Sequence, residues 1–183
     1  LLVRIRGPEA LAEWHLRVAD ALSAHAKSVR EIMAIDNPAL CLKRFKTRQH
    51  RARGVVIRLK KQLQQYVKYK NLFSGVTDFR ELRKCAGAGR AIKRVQNRLR
   101  KASQNLNREI SVSKRALETF LSFQKGVNGL FVEGKTLPHQ DILNRALLKG
   151  YLAATENLAE YHKKRANSLL LSSRRRAKSL IRP

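Results

Sequence analysis

Acidic residues are scarce in this 183-residue chain: 13 Asp and Glu stand against 40 Lys and Arg, so the formal net charge is +27. A charge of this size exceeds what solubility requires, and it opposes a compact fold through self-repulsion. An anionic partner relieves that repulsion, and nucleic acid and anionic membranes are the abundant candidates. The composition therefore disfavours a free cytosolic enzyme and favours a component that works while bound to a polyanion.

Cysteines and long apolar runs are also nearly absent. The two cysteines, Cys41 and Cys85, form no Cys-x-x-Cys pair and lie far apart in the sequence, which favours a reducing compartment. No apolar run approaches the roughly 18 residues that span a bilayer, and residues 1–6 are too short for a signal-peptide core. The first residue is Leu rather than Met, which fits a processed organellar protein and equally fits a truncated chain.

Aromatic side chains make up only 6% of the residues, so few large groups are available to anchor a core. Alternating strand patterns are missing as well. Apolar residues recur instead at steps of three and four, which is typical of amphipathic helices. The pattern predicts an all-α fold in which long antiparallel helices form an extended helical hairpin or coiled-coil-like bundle with a basic tail.

Breaker and capping signals divide the chain into four parts. Residues 1–37 form an N-terminal helix that stops at Asp36-Asn37-Pro38, and residues 38–125 form a long basic helical hairpin. Residues 126–138 are predicted to be a loop, and residues 139–183 a C-terminal helix with a basic tail. The N-terminal helix is the most acidic and is the expected protein-contact element; its acids are Glu9, Glu13, Asp20 and Glu31.

Basic residues follow single-sign stripes rather than the alternating signs of an ordinary exposed helix. No acid occurs between Asp36 and Asp78, and none follows Glu160. Stripes of one sign repel themselves unless phosphate neutralises them, so we expect these residues to bind RNA. The candidates are Arg44, Arg48, Arg51 and Arg58, opposite the Leu42/Phe45/Leu59 stripe; Arg83, Arg90, Arg94, Arg98 and Lys101 on the third helix; and Arg174, Arg175 and Arg176 in the tail.

The sequence contains one match to the consensus pattern of a catalytic motif. Residues 129–136 satisfy G-x-x-x-x-G-K-[ST], the phosphate-binding loop of nucleotide hydrolases. That chemistry needs a strand leading in and a helix running directly from Lys135-Thr136, yet Pro138 disrupts such a helix. No His, Cys and acid cluster has metal-ligand spacing either. We therefore expect no enzymatic activity, no catalytic residue, no metal, no cofactor and no small-molecule substrate.

Across its whole length the chain resembles the lineage-specific helical proteins of mitochondrial ribosomes, which are rich in Arg and Lys, poor in aromatics and built from long rods with basic tails. The resemblance is one of general character and no motif carries it. It implies a structural, non-enzymatic subunit in the mitochondrial matrix that binds ribosomal RNA and neighbouring ribosomal proteins.

Two other functions compete with this one. The first is a coiled-coil scaffold or peripheral subunit of a mitochondrial inner-membrane complex, with its basic faces on anionic lipid. Such a helix places Trp, Phe or Leu below a basic rim, whereas Trp14, the single tryptophan, lies in the least basic helix. The second is a DNA-compacting protein, since basic stripes alone do not separate RNA from DNA.

Overall fold

The computed structural model describes residues 6–68, 88–131 and 138–181. Within them the chain forms four helices, α1 (Arg6–Met33), α2 (Pro38–Lys68), α3 (Ala88–Leu130) and α4 (Pro138–Ile181), and these ranges contain no strand. The predicted all-α fold is confirmed. Asp78 and Glu81 have the spacing of a helix capping box, and both lie outside the described residues.

The boundary between α1 and α2 forms for local reasons. The side-chain Oδ1 of Asn37 accepts a hydrogen bond of 3.0 Å from the backbone N–H of Leu40, which makes Asn37 the N-cap of α2. Pro38 follows at the first helical position, where its missing N–H costs nothing because that donor has no partner inside a helix. The sequence Asn37-Pro38 therefore ends one helix and starts the next.

Consecutive helices run antiparallel around one core. Trp14 on α1 lies level with Leu59 on α2, because its indole N–H donates to the Leu59 carbonyl at 2.9 Å. Gln49 on α2 reaches the carbonyl of Gln124 on α3, and Gln124 in turn bonds Tyr151 on α4. The order is therefore up, down, up, down, and α1 packs most closely of all against α4.

The few aromatic side chains are concentrated at the centre of this bundle. Tyr151 is fully buried, and its ring lies 5.1 Å from Phe45, 6.2 Å from Phe120 and 6.0 Å from Phe123, measured between centroids. Phe45 also meets Phe131 edge to face at 5.4 Å. All four helices thus contribute side chains to one hydrophobic cluster, although aromatic residues are few.

The sequence prediction of a loop at 126–138 is wrong at its start, because α3 continues to Leu130. The apolar spacing of the helix continues through Val127 and Phe131, and both side chains are buried against the core. Gly126 in a helix costs roughly 1 kcal/mol relative to Ala. Burial of Val127 and Phe131 contributes about 2 kcal/mol each, which outweighs that cost.

The carboxyl end of α1 is capped by a residue from the far end of the chain. Arg145 on α4 donates to the carbonyl oxygens of Met33, Ile35 and Asp36 at 3.1, 3.2 and 3.4 Å. Asp141, one turn earlier, holds the same guanidinium at 2.9 Å. A cation at this position satisfies unpaired carbonyls and complements the negative end of the helix dipole.

At the opposite end of the bundle α3 extends past α1 and α2, while α4 continues beside it to Ile181, about level with residue 93. Ser113 of α3 lies level with His15 of α1, so residues 88–103 project roughly 24 Å beyond the start of α1 at 1.5 Å per residue. Every described side chain between residues 88 and 105 is exposed or half-buried. We call residues 88–105 the α3 arm.

Candidate nucleic-acid interface

The first basic surface lines a groove between α1 and α2. The groove has a volume of about 440 Å³, with three arginines and a lysine from α2 on one wall and Ser28 and Glu31 from α1 on the other. Its remaining lining is largely apolar. The α2 residues of this basic groove are Lys43, Arg44, Arg48 and Arg51, with Thr47 between them, and Ile32, Ile35 and Leu40 complete the lining.

The position of these arginines corrects the sequence prediction. Arg44, Arg48 and Arg51 line the flank of α2 that faces α1 rather than the back of the helix. The prediction included Leu42 in the buried stripe with Phe45 and Leu59, but Leu42 is only half-buried, and the buried arc is centred on Cys41, Phe45, Val56 and Leu59. Because the buried face of α2 is centred on these residues, Arg44, Arg48 and Arg51 lie on the side of the helix next to α1.

The second basic surface is the α3 arm. Arg90, Arg94, Arg98 and Lys101 are all exposed, and none has an ion pair or hydrogen bond with another described residue. Residues 88–108 contain seven Lys or Arg and no Asp or Glu. The arm is therefore a continuous cationic helix that no described acid neutralises.

Several acids of α3 and α4 are paired with nearby cations. Glu109, the first acid after the arm, takes a two-pronged hydrogen bond from the Arg165 guanidinium. Glu118 pairs with Lys60 at 2.8 Å, and this neighbour lowers the pKa of the Glu118 carboxyl. Further pairs join Arg30 to Glu156 and Lys164 to Glu160. These pairs leave the acid-free arm available to an external anion.

The structure does not bring the two basic surfaces together. Gln49 lies level with Gln124, so Arg51 and Lys101 are separated by roughly 30 Å along the bundle. Arg58 is exposed on α2 but does not line the groove. Arg83 lies outside the described residues. Arg174, Arg175 and Arg176 belong to α4, beyond the side chains that the structure describes.

A buried polar network at the bundle centre was missed at the level of sequence. His15 and His162 are both fully buried, and their Nδ1 atoms lie 2.8 Å apart. The hydroxyl of Ser113 donates to the Glu109 carbonyl at 2.8 Å, so its oxygen is left to accept from His15 Nε2–H at 3.5 Å. His15 Nδ1 is then an acceptor, and His162 donates its Nδ1 proton to it.

This arrangement keeps both imidazoles neutral. Burial, together with the charge of Arg165, lowers the pKa of His15 to about 4. Burial and the neighbouring His15 lower the pKa of His162 to about 3, although the Glu109 carboxylate acts in the opposite direction. A proton would place a cation in a dry core beside Arg165, which is why the neutral pair persists.

His25 forms a second buried network with Tyr151. The Gln124 amide donates to the Tyr151 oxygen at 2.8 Å, so the phenol proton points to His25 Nε2, also at 2.8 Å. Burial lowers the pKa of His25 to about 4 and raises the pKa of Tyr151 to about 12. His25 packs in the core because it lies on the apolar spacing of α1.

Both histidine networks are enclosed by the four helices and offer no opening for a substrate. Among the described residues, no group of three His, Cys, Asp or Glu side chains is placed to hold a metal ion. Of the phosphate-loop match, Gly129 lies in α3, so a helix rather than a strand leads into the motif, while Lys135 and Thr136 lie outside the described residues. The networks therefore specify how the helices pair.

Tyr151→Phe is expected to lower the free energy of unfolding by about 1–3 kcal/mol. The substitution keeps the ring contacts but leaves buried polar atoms of His25 and Gln124 without a partner, and that desolvation cost falls on the folded state alone. Chemical denaturation measures it. Tyr161→Phe is the matched control, since this half-exposed phenol should change stability by less than about 0.5 kcal/mol. Equal effects of the two substitutions would contradict the network.

No protein-family model, no curated protein and no solved structure matches this chain. None of the helices in the described ranges is long and apolar enough to cross a membrane.

Proposed function

We propose that this chain is a structural RNA-binding subunit of a ribonucleoprotein, and that the particle is a mitochondrial ribosome. The observation that carries the proposal is the α3 arm, a helical segment with six basic residues, no acid and no buried side chain among those described between residues 88 and 105. The basic side chains of the arm have no anionic partner among the described residues. The arm becomes stable and useful when phosphates neutralise it.

The arm binds by electrostatics and geometry rather than by reading bases. Arg90, Arg94 and Arg98 recur every fourth residue, so their guanidinium groups follow one side of the helix at about 6 Å intervals. Each presents a planar fork that fits two phosphate oxygens, which a lysine ammonium does not. The arm therefore lies along a sugar–phosphate backbone, and binding releases the counterions condensed there.

The basic groove provides a second contact on the same RNA. The groove and the arm lie on different parts of the bundle, roughly 30 Å apart along its axis. One rigid chain with two separated cationic surfaces bridges two RNA segments, and the second contact forms at the high effective concentration set by the first. That is the behaviour of a structural subunit in a large particle.

The lipid alternative is supported less well. Trp14, the single tryptophan, is fully buried between α1 and α2 and donates to Leu59, so it cannot anchor a membrane face. An interfacial helix needs an exposed aromatic or large apolar face to enter the headgroup boundary.

A salt titration tests the proposal. The purified chain is expected to bind a 30-nucleotide structured RNA with an affinity whose logarithm falls linearly with the logarithm of salt, by about 0.7–0.9 per phosphate contacted. Six or more contacts predict a total slope of about −4 or steeper. Fluorescence anisotropy between about 50 and 200 mM salt measures this slope.

Two competitors sharpen the result. Duplex DNA of equal length should compete less well than the RNA, and vesicles with an anionic lipid fraction should not displace the RNA at equal phosphate concentration. A slope near zero would remove the electrostatic basis of the proposal. Preferential binding to the vesicles or to DNA would replace RNA by that partner.

A further inference from the structure

Exposed apolar side chains are concentrated where α3 meets α4. Five of the nine large apolar residues exposed in the described ranges lie on the adjoining flanks of these two helices. Their exposed fractions are high for apolar groups: Leu130 59%, Leu143 51%, Val112 44%, Phe123 38% and Tyr161 36%. We call these five residues the α3/α4 seam.

The seam is continuous because of the register of the two helices. Gln124 lies opposite Tyr151 and Glu109 opposite Arg165, which places Leu130 level with Leu143 to Leu147 and Val112 level with Tyr161. Phe123 lies between these two levels, and its ring stacks on that of Tyr151 with 6.0 Å between the ring centroids. The apolar row on α3 is roughly 27 Å long, which matches a helix of about five turns.

The seam is open because α3 and α4 pack least closely of the adjacent helix pairs. The tight pairs, α1 with α4 and α1 with α2, enclose the buried side chains of α1, including Trp14 and Val18. A Cβ added to Gly150, on the seam flank of α4, would meet no atom within 4 Å. The space beside α4 is therefore unfilled by this chain.

The charges around the seam are positive. The same row of α3 continues, at steps of eleven, three and four residues, from Phe123 and Val112 into Lys101, Arg98 and Arg94 of the arm. Arg108 and Arg115 form the outer rim, and neither has a hydrogen bond or ion pair with another described residue. The acids beside the seam, Glu109 and Glu160, already pair with Arg165 and Lys164.

We propose that the α3/α4 seam docks an amphipathic helix of a second protein, with an apolar stripe for the seam and acidic residues for the rim of Arg108 and Arg115. An apolar row of helical length selects a helix. A positive rim whose nearby acids are already paired selects an acidic one. A second copy of this chain is disfavoured, because two molecules of charge +27 would face each other.

This assignment differs from the sequence expectation that the acidic N-terminal helix is the protein-contact element. The apolar side of α1 faces the inside of the bundle, where Leu11, Leu22 and Val29 are buried. Contacts made by its exposed acids stay a prediction. The seam, in contrast, presents apolar area that nothing in the described residues covers.

Peptide binding tests the seam. The probe is a fluorescein-labelled 18-residue helical peptide with leucines in an a/d pattern and glutamates at the flanking positions. Its counterpart carries lysines at those flanks, and a third peptide has the acidic sequence scrambled. We expect the acidic amphipathic peptide to bind at least tenfold more tightly than either control. Equal binding of the scrambled peptide would show general attraction to a cationic protein and would overturn the proposal.

Two variants locate the binding. Leu130→Ser with Leu143→Ser changes exposed seam residues and should weaken peptide binding at least tenfold, while far-ultraviolet circular dichroism confirms unchanged helicity. Ile57→Ser with Leu171→Ser, exposed apolar residues away from the seam, should change it less than twofold. Unchanged binding by the seam variant would overturn the proposal. Loss of self-association in that variant, measured by sedimentation, would replace the partner by a second copy.

The seam and the RNA surface are separable in the same experiment. The seam variant keeps Arg90, Arg94 and Arg98, so its affinity for RNA should stay within twofold of the parent chain. Loss of peptide binding with RNA binding intact identifies a protein-docking surface. Loss of RNA binding in the seam variant would instead show that the seam is part of the nucleic-acid surface and would overturn the assignment.

Discussion

Lowering the pH from 7 to 5 is expected to reduce the free energy of unfolding by about 6 kcal/mol, or about 2 kcal/mol for each of three buried imidazoles. The imidazoles are those of His15, His25 and His162, whose folded-state pKa values lie at about 4, 4 and 3. Domains of this size are stable by only about 5–15 kcal/mol, so the change is a large share of the total.

The direction follows from which state takes up protons first. In the unfolded chain these histidines have an ordinary pKa near 6.5, so below that pH the unfolded state binds protons that the folded state refuses. Their contribution to stability is complete above pH 6.5 and is lost as the pH falls toward 4. The Glu118 carboxylate, whose pKa Lys60 lowers, adds a loss only at more acidic pH.

Denaturant unfolding at half-unit pH steps measures the effect. A variant carrying His50→Gln and His139→Gln is the control, because both of these imidazoles are exposed and neither belongs to the buried networks. It should show the same loss between pH 7 and 5 as the parent chain. A stability that is flat over this window, or a loss that disappears in the control variant, would show that the buried histidines are not the cause.

Replacing Arg90, Arg94 and Arg98 together by Glu is expected to weaken RNA binding by about 100- to 1,000-fold at physiological salt. The change removes three phosphate contacts and places three carboxylates where the RNA backbone lies. The salt slope should also fall by about two, since each lost contact removes roughly 0.7–0.9 from it. Helicity should be retained, because these side chains are exposed and make no contact with the core.

A matched control separates position from net charge. Replacing Lys27, Lys149 and Lys163 by Glu changes the net charge by the same amount, at three exposed positions of α1 and α4. We expect this variant to bind RNA within about fivefold of the parent chain, which reflects long-range attraction alone. Equal losses in the two variants would mean that RNA responds to total charge and that the arm is not its binding site.

Replacing Arg44, Arg48 and Arg51 by Glu probes the basic groove in the same assay. The groove and the arm share no side-chain contact, so the effects of the two triple variants should add as free energies if one RNA touches both. An RNA too short to span roughly 30 Å should respond to one triple variant only.

The helical class, the break at Asn37-Pro38 and the exposure of the basic residues were determined by the sequence alone. Each depends on neighbours within one or two turns: a cap and a proline at adjacent positions, or a spacing of three and four residues. The exposure of Arg90, Arg94 and Arg98 follows directly from that spacing. The end of α3 was misjudged because glycines at 126 and 129 indicated a loop, and only core packing of Val127 and Phe131 extends the helix.

The tertiary structure decided which sides of the helices meet. The contacts between residues far apart in the sequence depend on that choice. His15 and His162 are 147 residues apart in sequence, and Arg145 caps the end of α1 from 112 residues beyond Met33. The rotation of α2 that turns Arg44 toward α1, and the open seam between α3 and α4, likewise depend on how four helices share one core. Periodicity defines the apolar face of each helix, but the partner of that face is chosen by shape and polar pairing across the bundle.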